Sequence, residues 1–257
     1  MRRPLVAGNW KMNGSRESLQ QLTADIIDLL NVSPVKSTDL LLLPPYVYID
    51  SIVAAVGSAD LAVGAQDVDA RHEGAVTGAV AATMLKDVGC THVLAGHSER
   101  RQLFGEDDSQ VALKCAMALK AQLTPIVCVG ESLQERKDSK ALEVVTRQLN
   151  AVISLVSAEG IASGLIAYEP VWAIGTGETA SPAQAQEVHQ ALRQALAAHD
   201  QKVADATRIV YGGSVKPQNA EALFAEADID GALVGGAAMD AASFLAICQA
   251  ADKSVGS

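Results

Sequence analysis

Short apolar runs alternate along the chain with longer stretches in which apolar residues recur at helical spacing. The runs Leu5 to Ala7, Asp39 to Leu43, Leu61 to Ala65, His92 to Ala95, Thr124 to Val129, Leu165 to Tyr168, Arg208 to Tyr211 and Gly231 to Val234 predict strands. Each is short and mostly apolar on both faces, which suits parallel strands covered from two sides. Between them, Leu19, Leu22, Ile26, Leu29 and Leu30 share one helical face, as do Val111, Cys115, Ala118 and Leu119, and again Ala185, Val188, His189, Leu192 and Leu196. Ser181, Pro182 and Gln184 form a start signal for the last of these helices, and Gly89 closes a helix ending near Val88. Eight such β-then-α units predict an α/β protein with a closed (β/α)8 barrel, whose chemistry sits at the carboxyl ends of the strands. An open doubly wound sheet fits the same alternation. No linker, low-complexity segment or repeat breaks the chain, so residues 1–257 read as one domain.

Composition narrows the partners. The 257 residues are 49% hydrophobic and 19% charged, with 20 Lys+Arg against 30 Asp+Glu and a formal charge of −10. That is the make-up of a globular chain with material for a large core. A sequence pI near 4.9 and the absence of a basic stripe argue against nucleic acid or an anionic membrane as partner. Cys90, Cys115, Cys128 and Cys248 form no Cys-x-x-Cys pair or Cys/His cluster, so no metal site is expected and a reducing cytoplasm is the predicted compartment. After Arg2 and Arg3 only Leu5-Val6-Ala7 precede Gly8, too little for a secretory signal, and no run has membrane-spanning length.

Unusual residues gather just past the predicted strand ends. Gly8-Asn9-Trp10-Lys11-Met12-Asn13 follows the first strand, Gly96-His97-Ser98-Glu99-Arg100-Arg101 the fourth, Glu169-Pro170 the sixth, Gly212-Gly213-Ser214 the seventh and Gly235-Gly236 the eighth. In a barrel these segments converge on one mouth. Each also has a blander reading: Lys11 as a solvated charge, His97 as a structural histidine, Arg100 and Arg101 as ion-pair residues, Glu99 as partner of the arginines or of Lys11. The opening turn of a helix after His97 would disfavour imidazolium and keep the ring neutral, able to donate a hydrogen bond to a carbonyl. Glu169, between the last residue of an apolar strand and Pro170, has a fixed direction and is placed to act as a carbon base. Residues 170–180, with the apolar Val171-Trp172-Ala173-Ile174 and then Gly175-Thr176-Gly177, read as a hinged lid that excludes water and offers the Gly175 N–H to an anion. The Gly-Gly pairs expose backbone amides where barrels often hold phosphate, although tight turns would use them too.

Two other classes compete. Gly175 to Ala180 matches the dinucleotide pattern G-x-G-x-x-A, but several residues separate it from the strand where that pattern needs a tight turn, and Asp200 ends a helix instead of a second strand. A non-catalytic sugar-phosphate module would keep the glycine cradle without needing Lys11, His97 and Glu169 together.

The chain resembles the triosephosphate isomerases from end to end, through Gly8 to Asn13, Ala95 to Arg100, Tyr168 to Gly177, Tyr211 to Lys216 and Leu233 to Gly236. The resemblance implies a TIM barrel that interconverts dihydroxyacetone phosphate and D-glyceraldehyde 3-phosphate, without metal or cofactor, in glycolysis and gluconeogenesis. It implies Glu169 as base and His97 as neutral electrophile, a pairing that belongs to the known chemistry of the family. Asn9 and Lys11 would stabilise the enediolate, the amides of Gly175, Ser214, Gly235 and Gly236 would hold phosphate, and Ser98 and Glu99 would support them. The resemblance further implies a homodimer, with Gln66 to Gly78 as interdigitating loop and Thr77 reaching the neighbour. Four departures stand out: Val76 in place of an aromatic ring, Ala79 in place of a glutamate, Ala238 in place of a serine near the phosphate loop, and Glu178 in place of a frequent lysine at the lid's end. The first two suggest a weaker interface and the last two an altered phosphate affinity or lid balance.

Overall fold

The computed structural model describes residues 2–175 and 178–255. Its strands are β1 Leu5–Asn9, β2 Asp39–Leu43, β3 Ala62–Ala65, β4 His92–Ala95, β5 Thr124–Val129, β6 Leu165–Tyr168, β7 Arg208–Tyr211 and β8 Gly231–Val234. They close into a barrel in sequence order, all parallel, with β8 returning to β1. Helices follow the strands and cover them. Only β1 differs appreciably from the pattern in the sequence: it runs on to Asn9, because Gly8 and Asn9 pair with Leu42 and Leu43 of β2. Neighbouring backbone overrides the weak strand preference of glycine and asparagine.

The two-residue period of each strand sorts its side chains. Leu5, Ala7, Leu41, Leu43, Leu94, Ile126, Cys128, Leu165, Ala167, Val210 and Leu233 fill the barrel interior as one cluster. The alternate residues, among them Val6, Leu42, Val93, Val127, Ile166, Ile209 and Val234, join the larger cluster shared with the helices. Both faces are dry, as the apolar runs require. Extending the inward series by one step brings Asn9 after Ala7 and Glu169 after Ala167, which puts a carboxamide and a carboxylate at the carboxyl end of the barrel. Asn9 is 4% and Glu169 1% exposed.

The opposite end is closed by charge. Asp39 binds Arg3 at 2.5 Å and Arg208 at 2.6 Å, and His92 sits among them. Burial, with help from Arg208 and against Asp39, pushes the His92 imidazole down to about 4. Unfolded, this histidine would titrate near 6.5. Below that pH the unfolded chain binds a proton that the folded one refuses, so this contribution to stability is present above 6.5 and is lost as pH falls towards 4. Between pH 7 and pH 5 the loss should reach about 2 kcal/mol. Urea unfolding of the protein and of His92→Gln at both pH values checks it: the variant should lose less on acidification by about that amount, and equal losses would contradict it.

Candidate active site

A cavity of about 570 Å³ opens at the carboxyl end of the strands, lined by Asn9, Lys11, His97, Gly175, Ser214, Gly235 and Gly236 together with Ile174, Lys216 and Ser243. All but Ser243, on the helix Ala241–Ser254, come from the last residue of β1 or from segments following β1, β4, β6, β7 and β8. The structure therefore brings together the segments that the sequence predicts to converge.

Lys11 is held in an uncommon backbone conformation, φ 51°, a region sparsely visited by residues with a side chain. Two backbone contacts maintain it. Its N–H donates to Asn9 Oδ1 at 3.0 Å, and its carbonyl accepts from Gln66 Nε2 at 2.9 Å, a nitrogen that also donates to Leu43 O. The ammonium lies 2.5 Å from Glu99 Oε1. Of the two partners open to Glu99 in the sequence, the structure selects Lys11. Arg100 instead pairs with Glu106 and Asp67, and Arg101 with Asp108 and the carbonyl of Gly96.

His97 is the cap of the helix Ser98–Phe104, its Nδ1 accepting the Glu99 N–H at 3.2 Å. That bond leaves the ring proton of the neutral form on Nε2, which stands 2.9 Å from Glu169 Oε1. Burial disfavours the charged ring, but Glu169, joined by Glu99, outweighs burial and Lys11, so the net shift of the His97 pKa is upward. The raise therefore comes chiefly from the Glu169 carboxylate, whereas burial and the helix N-terminus both favour the neutral ring.

Glu169 does not line the cavity. Its Oε2 accepts the Ser98 N–H at 2.8 Å, while Oε1 is buried without an aligned hydrogen bond. The side chain is pressed against Gly212, where a Cβ would come within 2.9 Å of Glu169 Cγ. Any residue larger than glycine at 212 would displace the carboxylate.

Beyond Pro170, the turn Val171–Ala173 begins the segment expected to form the lid. Trp172 Nε1 donates to Glu131 Oε1 at 2.8 Å, and Tyr168 donates to the same oxygen at 3.1 Å. Burial raises the Glu131 pKa, against the Trp172 hydrogen bond. Glu131 is not among the residues singled out in the sequence. It lies just past β5, so the rule that picked out the other strand ends would have found it there. Thr176 and Gly177, part of both the expected lid and the dinucleotide pattern, lie outside the described residues.

The structure corrects one expectation. Ala238 is fully buried in the turn Gly236–Met239 and packs towards Gly8, while its neighbour Ala237 lines the cavity. A missing hydroxyl at 238 thus faces the barrel wall, not the phosphate loop. Gln66 ties the loop after β3 to Lys11, whereas Thr77 and Gly78 are exposed and do not line this cavity.

The sequence profile of the family described as triosephosphate isomerase matches residues 4–251. A triosephosphate isomerase of Dechloromonas aromatica (strain RCB) is 52% identical over 254 residues, covering 98% of this chain and 100% of the relative. Those of Alcanivorax borkumensis and Pseudomonas putida (strain W619) are each 49% identical, covering 98% of this chain and 99% of the relative.

Proposed function

The chain belongs to the triosephosphate isomerase family, and from that membership we propose how its own residues interconvert dihydroxyacetone phosphate and D-glyceraldehyde 3-phosphate. Glu169 leaves the Ser98 N–H, enters the cavity and removes a proton from the carbon beside the carbonyl. The C–H electron pair forms the carbon–carbon double bond of an enediolate, and the former carbonyl oxygen takes the charge. His97, neutral with its proton on Nε2, donates to that oxygen and passes protons between the two oxygens. Lys11 and the carboxamide of Asn9 stabilise the developing charge. The protonated Glu169 returns its proton to the neighbouring carbon, which completes the isomerisation without net change in the enzyme.

The phosphate is assigned to the amides of Gly175, Ser214, Gly235 and Gly236, with Lys11 offsetting its charge in a protein of net charge −10. Ser98 and Glu99 hold Glu169, His97 and Lys11 in place. Residues 170–180 close over the site, exclude water and keep the enediolate from expelling phosphate. One observation supports this reading above the rest: the ammonium, the imidazole and the glycine amides line a single cavity, with the buried carboxylate 2.9 Å from the imidazole. Supplying D-glyceraldehyde 3-phosphate and reducing the dihydroxyacetone phosphate formed with an NADH-dependent dehydrogenase tests it. NADH should be consumed in proportion to the protein added; no consumption would overturn the assignment.

We also infer a homodimer in the cytoplasm built around the loop Gln66 to Gly78. Its tip is exposed, and Met12, Val47 and Phe104 are 96%, 77% and 67% exposed, large apolar groups that a partner would cover. Gln66 would then link the interface to the backbone of Lys11. With Val76 in the loop and Ala79 just after it, activity per chain is expected to fall on dilution. Sedimentation at micromolar concentration should give a dimer, and a fully active 26.7 kDa species would refute it. No helix among the described residues is long and apolar enough to cross a membrane.

A further inference from the structure

His189 occupies a position that packing alone would give to an aliphatic side chain. On the helix Pro182–Ala197 it falls in line with Ala185, Val188, Leu192 and Leu196, all buried against the barrel, and it is itself 0% exposed. Its Nδ1 stands 3.0 Å from the carbonyl oxygen of Asp228. A carbonyl only accepts, so Nδ1 carries the proton and Nε2 is a bare acceptor. That nitrogen has no aligned hydrogen-bond partner, an unfavourable arrangement that leucine would avoid, although the Ile209 backbone is near enough to oppose the fall in the ring's pKa. Burial, with Arg193 adding to it and the Asp228 carbonyl opposing, pushes the ring's pKa down to about 4. The ring is neutral at ordinary pH.

Its neighbours give the imidazole a purpose. The ring meets Tyr168 edge-on at 5.7 Å and 84° and Tyr211 at 6.4 Å and 39°, while the two tyrosines are 6.3 Å apart. Each tyrosine ends a strand and serves a different end of the lid segment. Tyr168 shares Glu131 Oε1 with Trp172 at the leading end. The Tyr211 hydroxyl is seated beneath Gly213, where a Cβ would come within 2.2 Å of it. It faces the backbone of Ala180 at the trailing end without an aligned hydrogen bond.

We propose that His189 is a positioning residue for the lid: its ring, packed against both Tyr168 and Tyr211 as the third member of a three-ring cluster, sets the two hydroxyls that govern the lid's two ends, so that both ends move together. An aliphatic side chain would fill the volume without presenting a flat edge to one ring and a tilted face to the other. The inference rests on the reading of residues 170–180 as a lid over a phosphorylated substrate, and adds a residue remote from the reacting atoms that governs its closure.

Two variants separate ring from hydrogen bond. His189→Asn keeps an N–H donor for the Asp228 carbonyl and removes the ring; His189→Phe keeps a ring and leaves that carbonyl unpaired. Each is assayed with D-glyceraldehyde 3-phosphate for kcat and KM, for inorganic phosphate released per isomerisation, and for melting temperature. His189→Asn should lower kcat by roughly tenfold and raise phosphate release per turnover by a similar factor, because an imperfectly closed lid lets the enediolate leak. His189→Phe should stay within about threefold of the parent on both counts while melting lower. If both variants lose stability but keep the parent's release ratio and kcat, the histidine is structural only and the proposal fails. Should His189→Asn not fold, the unmodified protein decides. The His189 ring nitrogen resonances should shift when glycerol 3-phosphate, an analogue without a carbonyl, is added; unmoved resonances would overturn the proposal. A parent enzyme inactive with D-glyceraldehyde 3-phosphate would instead refute the isomerase reading.

Discussion

Glu169→Gln is expected to reduce kcat by roughly 10³-fold or more, in the upper part of the range for a positioned general base, while glycerol 3-phosphate binds within a few-fold of the parent. Glutamine has the same length and shape, so the pocket beside Gly212 still accepts it and its amide oxygen still accepts the Ser98 N–H. What it lacks is basicity: a neutral amide does not take a proton from carbon. The substitution also removes the carboxylate that, with Glu99, raises the His97 pKa. His97 should therefore be easier to keep neutral in the variant, and the residual activity should show its acid limb at lower pH than the parent. Full activity, or a loss that raising the pH restores, would exclude Glu169 as the base. A large loss of ligand affinity would mean that the carboxylate holds the site's shape and not only its chemistry.

Much of this was legible in the chain before any coordinates, for a reason particular to parallel barrels. Strands buried on both faces leave short unbroken apolar runs, and the polar residue that ends a run stands at the mouth. Glu169 after Leu165 to Tyr168 is such a case, and Ser181-Pro182 with Gln184 marks its helix start in the way the structure displays. The contacts that arm the site were less legible because they join residues far apart in sequence. The selection of Lys11 by Glu99 spans 88 positions, and the hold of Gln66 on the Lys11 carbonyl spans 55. Nothing local in Trp10-Lys11-Met12 announces a positive φ. Ala238 shows the converse error. Its place two residues beyond Gly-Gly suggests the cavity, but the turn Gly236–Met239 rotates it into the wall. The hold of the Ser98 N–H on Glu169 also lies beyond sequence, because it depends on a backbone amide of another strand's loop.

Lys11→Met should cost roughly 10²- to 10³-fold in kcat/KM, shared between a higher KM and a lower kcat. At an effective dielectric near 20, an ammonium about 4 Å from a unit negative charge contributes about 4 kcal/mol. Its existing pairing with Glu99 at 2.5 Å reduces the net loss below that ceiling. Lys216 also lines the cavity, but it enters from the loop after β7 and does not occupy the ammonium's place beside Glu99. The change is electrostatic and not conformational, because the contacts that hold φ 51° at residue 11 all involve its backbone: Asn9 Oδ1 on the N–H and Gln66 Nε2 on the carbonyl. Methionine inherits them, so the melting temperature should barely move. A second consequence distinguishes this from simple loss of phosphate affinity. Without the ammonium, the Glu99 carboxylate stands unopposed 3.7 Å from His97 Nδ1, and the positive charge that had lowered the His97 pKa is gone. The imidazole should then protonate at higher pH, and the acid limb of kcat/KM should move upward, opposite to the shift expected for Glu169→Gln. A kcat/KM within about tenfold of the parent, or an acid limb that stays in place, would show that Lys11 does not set the charge balance of this site.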